Sequence, residues 1–324
     1  MMRIFVYSLL FPFLFVACTF SQSSSRGEKV QGWIKENGKL KVLCTTAMIA
    51  DVVAQVGGDE VDVLTLIYGG LDPHTYEIVK GDDELIQNAD IVFFNGLGLE
   101  HGPGLLQLIK EHPHSIALAD VIQEQFPDLV CFERGQVDPH IWMDVSLWEK
   151  TLPSIEKELV YEVPNRAAEF HMNREVLSQQ MLCIHQKIRE LMEEFPSSIR
   201  YMVTSHDAFN YFARAYLATD DERERGMWRY RFAAPEGLAP EASLSASDIQ
   251  YIIDYISQYN ITTLFTESNV SKASLHKILS VAEDKGLRVS IAQEPLYADA
   301  MEGPNQRYLD MMQHNAISIT KHWR

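Results

Sequence analysis

Short apolar runs alternate with amphipathic stretches through the first part of the chain. The runs KLKVLCTT, VDVLTLIYG, DIVFFNG and SIALAD are rich in apolar and β-branched residues, which predicts strands. The stretches AMIADVVAQVGG, DDELIQNA and GLLQLIKEH have the spacing of helices. Strands that alternate with helices are typical of an α/β fold, in which a parallel sheet is flanked by helices.

One long connecting helix is predicted over residues 165–195. Its apolar residues are separated by seven, four, three, four, three and four positions, which places them on one helical stripe. Asn165 can cap the start and Pro196 ends the pattern, and about thirty residues at about 1.5 Å each give a rod of about 45 Å. Such a rod can cross a whole domain. The stripe consists of Phe170, Leu177, Met181, Ile184, Ile188, Leu191 and Phe195.

A second alternating series follows the long helix. The segments RYMVTSH, TTLFTES and RVSIAQE predict strands, and AFNYFARAYL, SASDIQYIIDYISQYN, KASLHKILSVAEDKG and RYLDMMQHNAISITKHW predict helices. The chain is therefore expected to form an N-terminal α/β lobe at 38–164 and a C-terminal α/β lobe at 196–324, joined by the helix. The charged stretch TDDERERGMWRYRFAAPEGLAPEAS, at 219–243, matches no regular element, and its role is open.

The N-terminus has the layout of a secretory signal. Residues 1–17 contain one early positive charge at Arg3 and an apolar run that is too short for a comfortable membrane span. Ala17 before Cys18 resembles a bacterial lipoprotein cleavage box, whose cysteine is acylated, and simple secretion is the alternative. We expect a polar linker at 18–37, no later membrane span, and an extracytoplasmic location in the periplasm or at the outer face of the cytoplasmic membrane.

Composition narrows the classes of partner. The 324 residues include 45 acidic and 28 basic side chains, which gives a formal net charge of −17. Such a protein repels phosphate backbones and concentrates cations, which argues against nucleic acid as a partner. Besides Cys18, the chain contains Cys44, Cys131 and Cys183 and no C-x-x-C pair. We therefore expect no thiolate metal site and at most one disulfide.

The triplet Asp-Pro-His occurs twice, in LDPHTYE and in VDPHIWMD, and ends at His74 and His140. Proline fixes its own backbone angle φ and biases the preceding aspartate toward extended geometry, so each histidine ring is confined. A confined ring loses less entropy when it binds a metal. The repeat therefore marks His74 and His140 as candidate metal ligands.

Two further candidates lie at the same predicted edge of the sheets. His206 ends the strand RYMVTSH and Asp299 lies in the loop after RVSIAQE, and open parallel sheets bind ligands beyond the carboxyl ends of their strands. Three imidazoles and one carboxylate, without a thiolate, suit borderline divalent ions such as zinc, manganese or ferrous iron. The other histidines lack such a context and are expected to be structural or exposed: His101, His112, His114, His171, His185, His276, His314 and His322.

Three other motifs fail their chemical tests. The glycines of NGLGLEHGPG miss the G-x-G-x-x-G spacing of a phosphate loop, so this segment is interpreted as a tight strand-to-helix turn. TSHD places a serine, a histidine and an aspartate side by side, whereas a catalytic triad is assembled in space, and no G-x-S-x-G elbow occurs. The zinc-hydrolase signature H-E-x-x-H is also absent.

Seven segments occur in the order of one known family, from about residue 40 to the C-terminus: DPHTYE, DIVFFNGLGLE, DPHIWMDVSLW, YMVTSHDAFNYFARAY, PEASLSASDI, LFTES and PLYADAME. They resemble the TroA-like and ZnuA-like metal-binding solute-receptor proteins of bacterial zinc, manganese and iron ABC transporters. The resemblance implies two α/β lobes bridged by a long helix, with the metal held in the cleft between the lobes.

Carried over residue by residue, the family's ligands fall on His74, His140, His206 and Asp299. Glu294 competes with Asp299, because some members place an acid directly before Pro-Leu. Glu267 resembles a family acid near the site, which would orient an imidazole without itself binding the metal. A solvated acid at the end of a strand is the alternative for Glu267.

The resemblance also implies a function. It indicates a receptor that captures one divalent transition metal ion (Zn, Mn or Fe) as cargo and delivers it to a cognate ABC permease, whose ATPase drives transport. Such a receptor is not an enzyme and is expected to be a monomer. The chain lacks the long histidine- and acid-rich loop of many zinc receptors, which weakens a zinc-only interpretation. Two alternatives are a secreted metallohydrolase that uses the same histidines, with Glu267 or Glu294 as base, and a surface adhesin with a structural metal.

We expect metal binding to weaken below about pH 6, because an imidazole must be deprotonated to coordinate and its ordinary pKa is ~6.5. Titration of metal into the purified protein at several pH values measures this. An affinity that stays constant down to about pH 5 would contradict a site built from three histidines.

Overall fold

The computed structural model describes residues 26–102, 104–239, 244–301 and 307–323. The expected signal peptide at 1–17 and Cys18 lie outside these residues. Within them, no helix combines the length and the apolar character that crossing a membrane requires. Cys44 and Cys131 are buried and Cys183 is exposed, and all three are free thiols.

The first lobe is built on a four-stranded parallel sheet. β1 (Leu40–Cys44) lies between β2 (Val61–Thr65) and β3 (Ile91–Phe94), and β4 (Ser115–Ala117) pairs with β3. The two central strands are almost entirely buried, which explains their unbroken apolar sequences. All four strands predicted for this lobe are present.

Both faces of this sheet are covered by apolar clusters. Ile91 and Phe93 of β3 belong to one cluster, whereas Val92 and Phe94 belong to another, because successive side chains of a strand point to opposite faces. A small antiparallel hairpin follows, formed by β5 (Phe132–Glu133) and β6 (Gln136–Val137). The helices of this lobe are α1 (Arg26–Ile34), α2 (Ala47–Gly57), α3 (Asp82–Asn88), α4 (Leu105–Glu111), α5 (Leu118–Gln125), α6 (Val145–Trp148) and α7 (Leu152–Glu162).

The polar linker expected at 18–37 is wrong for its described part, because α1 occupies most of it. Val30 and Trp33, three residues apart, lie on one helical face and are buried against the sheet. The indole N–H of Trp33 donates to the backbone oxygen of Asp62 at 3.1 Å, and Arg26 pairs with the buried Asp82. Two apolar residues in a polar segment are enough to dock this helix, but they are too few to produce a periodic pattern.

The long connecting helix is confirmed as α8 (Ala167–Glu193), which has 27 residues. It begins two residues after Asn165 because residues 164–166 form a 3₁₀ turn that starts with proline. At about 1.5 Å per residue, the helix is about 40 Å long. The predicted stripe faces the core: Phe170, Leu177, Met181 and Ile188 are buried, and Ile184 and Leu191 are half-buried.

The second lobe has two parallel strand pairs, β7 with β8 and β9 with β10. The backbone N–H of Phe265 donates to the oxygen of Val203 at 2.9 Å, which joins the β7 and β9 segments. The elements are β7 (Met202–Val203), α9 (Asn210–Phe212, continued by a π-helical turn at Ala213–Leu217), α10 (Asp220–Glu224), β8 (Phe232–Ala233), α11 (Ala246–Tyr259), β9 (Thr263–Leu264), α12 (Ala273–Asp284), β10 (Ser290–Ile291) and α13 (Tyr308–Lys321).

The charged stretch is regular over much of its described part. Thr219 and Glu222 form a capping box at the start of α10, and residues 227–231 form a 3₁₀ helix that leads into β8. Glu222 also pairs with Arg231 at 2.6 Å. These elements have two to five residues each, so they are too short for a helical or strand period to be recognised in the sequence.

One continuous apolar core runs through both lobes and α8. Its largest buried side chains come from both sides of the connecting helix: Trp142, Trp148, Phe170, Tyr211, Tyr216 and Tyr308. Hydrogen bonds cross between the lobes as well, because the Tyr216 hydroxyl accepts from the backbone N–H of Val145 at 3.1 Å and Tyr308 donates to the backbone oxygen of Trp142 at 2.5 Å. The lobes are therefore packed against each other as one body.

Replacement of Gly96 should test the turn after β3. Gly96 and Gly98 both have positive φ, 82° and 83°, but a Cβ at Gly96 would lie 2.5 Å from Asp120 Oδ1, whereas one at Gly98 meets no atom within 4 Å. We expect Gly98→Ala to lower the free energy of unfolding by about 1–2 kcal/mol and Gly96→Ala by about 2–4 kcal/mol. Urea denaturation measures both. Equal losses of unfolding free energy in the two variants would mean that Asp120 moves away from residue 96 without destabilising the protein.

Candidate metal centre

The two Asp-Pro-His loops share one backbone arrangement. Asp72 Oδ1 accepts a hydrogen bond from the His74 backbone N–H at 2.9 Å, and Asp138 Oδ1 accepts one from the His140 N–H at the same distance. An aspartate that bonds the backbone two residues on closes an Asx turn. Each turn holds the histidine behind its proline in a fixed position.

The loops differ in what else the aspartate contacts. Asp138 Oδ1 lies 2.7 Å from His140 Nδ1, whereas the second oxygen of Asp72 accepts from the Thr75 hydroxyl at 3.1 Å. Because a carboxylate only accepts, His140 Nδ1 must carry the proton, and Nε2 then presents its lone pair. Sequence reasoning missed this role of Asp138, because the same triplet at Asp72 makes no such contact.

His206 is held by Glu267 in the second lobe. Glu267 Oε1 accepts from the backbone N–H groups of Ser205 and His206, both at 3.0 Å, and Oε2 contacts His206 Nδ1. Both side chains are fully buried. Glu267 therefore has the contact expected of an acid that orients an imidazole, and it is not a solvated acid at the end of a strand.

The structure brings the four predicted ligands together. His74 Nε2 lies 3.2 Å from His140 Nε2, and one ligand atom of each residue lies within 4.8 Å of all the others. Asp299 Oδ2 is 3.1 Å from His206 Nε2 and 3.7 Å from His74 Nε2, while Oδ1 is 3.4 Å from His140 Nε2. Two of these side chains precede α8 and two follow it, so both lobes contribute.

The spacing of the ligand atoms matches that around a small cation. Four atoms at about 2.0–2.1 Å from a zinc-sized ion in a tetrahedron are about 3.3 Å apart. Four of the separations, at 3.1–3.7 Å, bracket this value, and all ligand atoms lie within 4.8 Å of one another. Asp299 also presents both oxygens to the histidines, so a fifth ligand atom is available for metals that prefer more than four.

The centre is closed to water, and some of its buried ligand atoms lack a hydrogen bond to the protein. None of the four side chains is more than 3% exposed. Among the described residues, neither oxygen of Asp299 nor Nε2 of His206 has a hydrogen bond of good geometry. Buried polar atoms without partners are costly in a native protein, and a bound cation would satisfy all of them.

The acids of the site shift the pKa values of the histidines. Burial lowers the pKa of His74 to about 3, against the opposing charge of Asp299. Burial also acts to lower the pKa of His140 and His206, but nearby carboxylates outweigh it and raise both. These are Asp299 and Asp138 for His140, and Glu267 and Asp299 for His206. Burial would raise the pKa of Asp299, but His206 and His140 hold it well below its ordinary value.

One expectation about the other residues needs correction. Glu294 is not at the site: its exposed carboxylate pairs with Lys321 of α13 at 2.9 Å on the surface. His101 is exposed, as expected, but its ring centroid lies only 5.7 Å from that of His74. It lines a cavity of about 480 Å³ beside His74, together with Leu97, Gly98, Gln136, Val137, Pro139, Leu238 and Ala239. This cavity borders the closed centre at His74.

Relatives of this chain share most of its length. Residues 42–322 match the family described as zinc-uptake complex component A, periplasmic (ZnuA). The metal-binding protein YtgA of Chlamydia pneumoniae is 37% identical over 311 residues, which cover 95% of this chain and 92% of YtgA. The manganese-binding lipoprotein MntA of Bacillus subtilis is 31% identical over 288 residues, which cover 87% of this chain and 89% of MntA.

Solved structures of similar proteins have the same fold. Fe(III)-bound YtgA from Chlamydia trachomatis matches with a TM-score of 0.83 and 34% identity, over 88% of this chain and 98% of that one. The periplasmic zinc-binding protein TroA from Treponema pallidum matches with a TM-score of 0.79 and 28% identity, over 88% and 99%. Sequence, fold and the order of the motifs agree: the chain belongs to the ZnuA family of metal-binding solute receptors.

Proposed function

We propose that this protein is the extracytoplasmic receptor of a bacterial ABC transporter, which captures a divalent transition metal ion and delivers it to the membrane permease. The convergence of three histidine nitrogens and one carboxylate, from both lobes, in a buried cleft carries this proposal. The family membership of the chain supports it. The metal is the cargo of this receptor.

The proposed ligands are Nε2 of His74, His140 and His206 and the carboxylate of Asp299. Asp138 and Glu267 contact two of these rings at the nitrogen that does not bind the metal, His140 Nδ1 and His206 Nδ1. Such outer carboxylates fix the tautomer of a ligand histidine and increase its basicity. The contact between Glu267 and His206 therefore supports the role that the sequence predicted for this acid.

The cargo is proposed to be zinc, manganese or iron. A set of three imidazoles and one carboxylate suits all three ions, and it holds no thiolate that would favour softer metals. The names of the relatives cover the same range, since they mention manganese, zinc and Fe(III). Elemental analysis of the protein taken from its native compartment distinguishes these ions. Native protein is needed because such a site binds zinc more tightly than manganese or ferrous iron, so the supply of metal in the cell decides the cargo.

The site is proposed to perform no hydrolysis. A metallohydrolase needs an open metal position and a free general base. The four ligands are buried, Glu267 is engaged with His206 and its backbone, and Glu294 pairs with Lys321 on the surface. Neither acid required by the hydrolase alternative is available. The related proteins named above are described as metal-binding.

The proposed partners are a permease and its ATPase. We further propose that a lipid anchor at Cys18 holds the mature protein at the outer face of the cytoplasmic membrane, and that it acts as a monomer. Relatives named as lipoproteins support the anchor. Metabolic labelling with a fatty acid, compared between the wild type and Cys18→Ala, tests it.

Loss of a ligand should abolish tight metal binding. We expect His140→Ala and Asp299→Ala to weaken affinity by at least about 100-fold, because each leaves a buried cation with one bond fewer. Calorimetry or competition with a chelator measures the affinity. Glu294→Ala and His276→Ala are matched controls that should bind like the wild type, since both side chains are exposed. Loss of binding in Glu294→Ala with retention in Asp299→Ala would contradict the proposed ligand set.

Metal binding should release protons. Nearby carboxylates raise the pKa values of His140 and His206, so these rings keep a second proton to a higher pH than an ordinary histidine, and a metal must displace it to bind. His74, with a pKa of about 3, contributes none. Affinity therefore rises with pH up to the pKa values of His140 and His206 and falls as the pH drops below them. Calorimetry in two buffers with different ionisation enthalpies counts the protons at each pH, and a count of zero at every pH between about 5 and 8 would contradict this prediction.

A further inference from the structure

The carboxylate that contacts His140 is anchored by the opposite lobe. Asp138 Oδ1 bonds His140 Nδ1 and the His140 backbone N–H, and Oδ2 accepts from Asn210 Nδ2 at 3.0 Å. Asn210 is the first residue of α9, in the second lobe. Asp138 is fully buried and Asn210 is almost so. A single aspartate therefore joins a ligand histidine of the first lobe to a side chain of the second.

The amide of Asn210 has one workable orientation. Its Nδ2 lies between two carboxylate oxygens, 3.0 Å from Asp138 Oδ2 and 2.8 Å from Asp207 Oδ1. The carboxylate of Asp138 only accepts hydrogen bonds, so one N–H bond of the amide must face it. Burial raises the pKa of Asp207 to about 7, and its Oδ1 accepts the second N–H bond. Asparagine supplies both donors without adding a charge. Aspartate, which has the same shape, supplies none.

The neighbouring residue strengthens the same link. The Tyr211 hydroxyl donates to the backbone oxygen of Asp138 at 2.8 Å and accepts from the backbone N–H of Cys131 at 3.0 Å. The start of α9 thus holds both the side chain and the backbone of Asp138. In the other Asp-Pro-His loop, the hydrogen bonds to the carboxylate of Asp72 come from His74 and Thr75, within the loop itself.

We propose that Asn210 is a positioning residue that couples the position of the second lobe, relative to the first, to the orientation of the His140 ring. This inference rests on the proposed function, because it takes His140 as a metal ligand. His140 Nε2 can bind a metal only while Nδ1 keeps its proton and the ring faces Asp299. When α9 withdraws from Asp138, the carboxylate loses its second anchor and the ring loses its fixed orientation. A small shift of the lobes then weakens one metal bond without a wide opening of the cleft.

The test compares Asn210→Ala and Asn210→Asp with the wild type in the full chain loaded with Zn²⁺. Stopped-flow transfer of Zn²⁺ to a chelator measures the release rate. We expect release to be about 10-fold faster in Asn210→Ala, and faster again in Asn210→Asp, which sets a third acid against Asp138 and Asp207. A role in packing alone would leave the isosteric aspartate variant at the wild-type rate.

Two backgrounds decide whether Asn210 acts through Asp138. In Asp138→Ala, the added change Asn210→Ala should alter the release rate by less than about 2-fold, because the link is already lost. In Asp207→Asn, the same change should keep its effect of about 10-fold. Asn173→Ala is the matched control. The amide of Asn173, on α8, donates to the backbone oxygen of Val56, on α2, at 3.0 Å, and its loss should leave the release rate unchanged.

Wild-type release rates in both Asn210 variants would overturn the inference. So would an effect of Asn210→Ala that disappears in Asp207→Asn. If Asp138→Ala does not fold, Asn210→Asp and the Asp207→Asn background still test whether Asn210 acts through Asp138. Wild-type protein that binds no Zn²⁺, Mn²⁺ or iron would overturn the proposed function and this inference together, whereas unchanged rates in a wild type that binds overturn the inference alone.

Discussion

The balance of charge in one buried site governs this structure. Asp138, Asp299 and Glu267 bring three carboxylates next to three imidazoles in a cleft that excludes water. Burial of ionised groups is costly unless opposite charge and hydrogen bonds are supplied in place. The carboxylates raise the pKa values of His140 and His206, so protons bound to these rings can supply part of that charge when no metal is bound. A divalent ion supplies it through short, directional bonds, so the preference for a cation follows from how the fold concentrates acids.

The rest of the fold keeps these groups at fixed separations. The segments of β7 and β9 are hydrogen-bonded neighbours, so His206 and Glu267, which follow them, arrive side by side. The first lobe delivers its two histidines on Asx turns, which fix the backbone of each loop. The shared apolar core then sets the distance between the halves, and the contact between Asn210 and Asp138 ties that distance to the orientation of one ring.

The positions of the four candidate ligands could be predicted because each lies beside a strong local signal, either a proline or the end of a strand. The role of Asp138 could not, because Asp72 occupies the same triplet without touching its histidine ring, and the packing of α9 makes the difference. Glu294, the competing position, lies on the surface, where it pairs with Lys321. Helix α1 and the two-residue strands β5, β6 and β8 were missed because docking, not periodicity, stabilises them.

The unbroken core changes what a permease can recognise in this receptor. Separation of the lobes that exposed about 400 Å² of apolar surface would cost about 10 kcal/mol. That is close to the whole free energy with which a protein binds a tightly held zinc ion, about 10–16 kcal/mol. A wide separation of the lobes is therefore a costly way to signal the bound metal. A change of charge costs less: the cleft gains the two positive charges of the ion, less the protons that the ion displaces, in a strongly acidic protein.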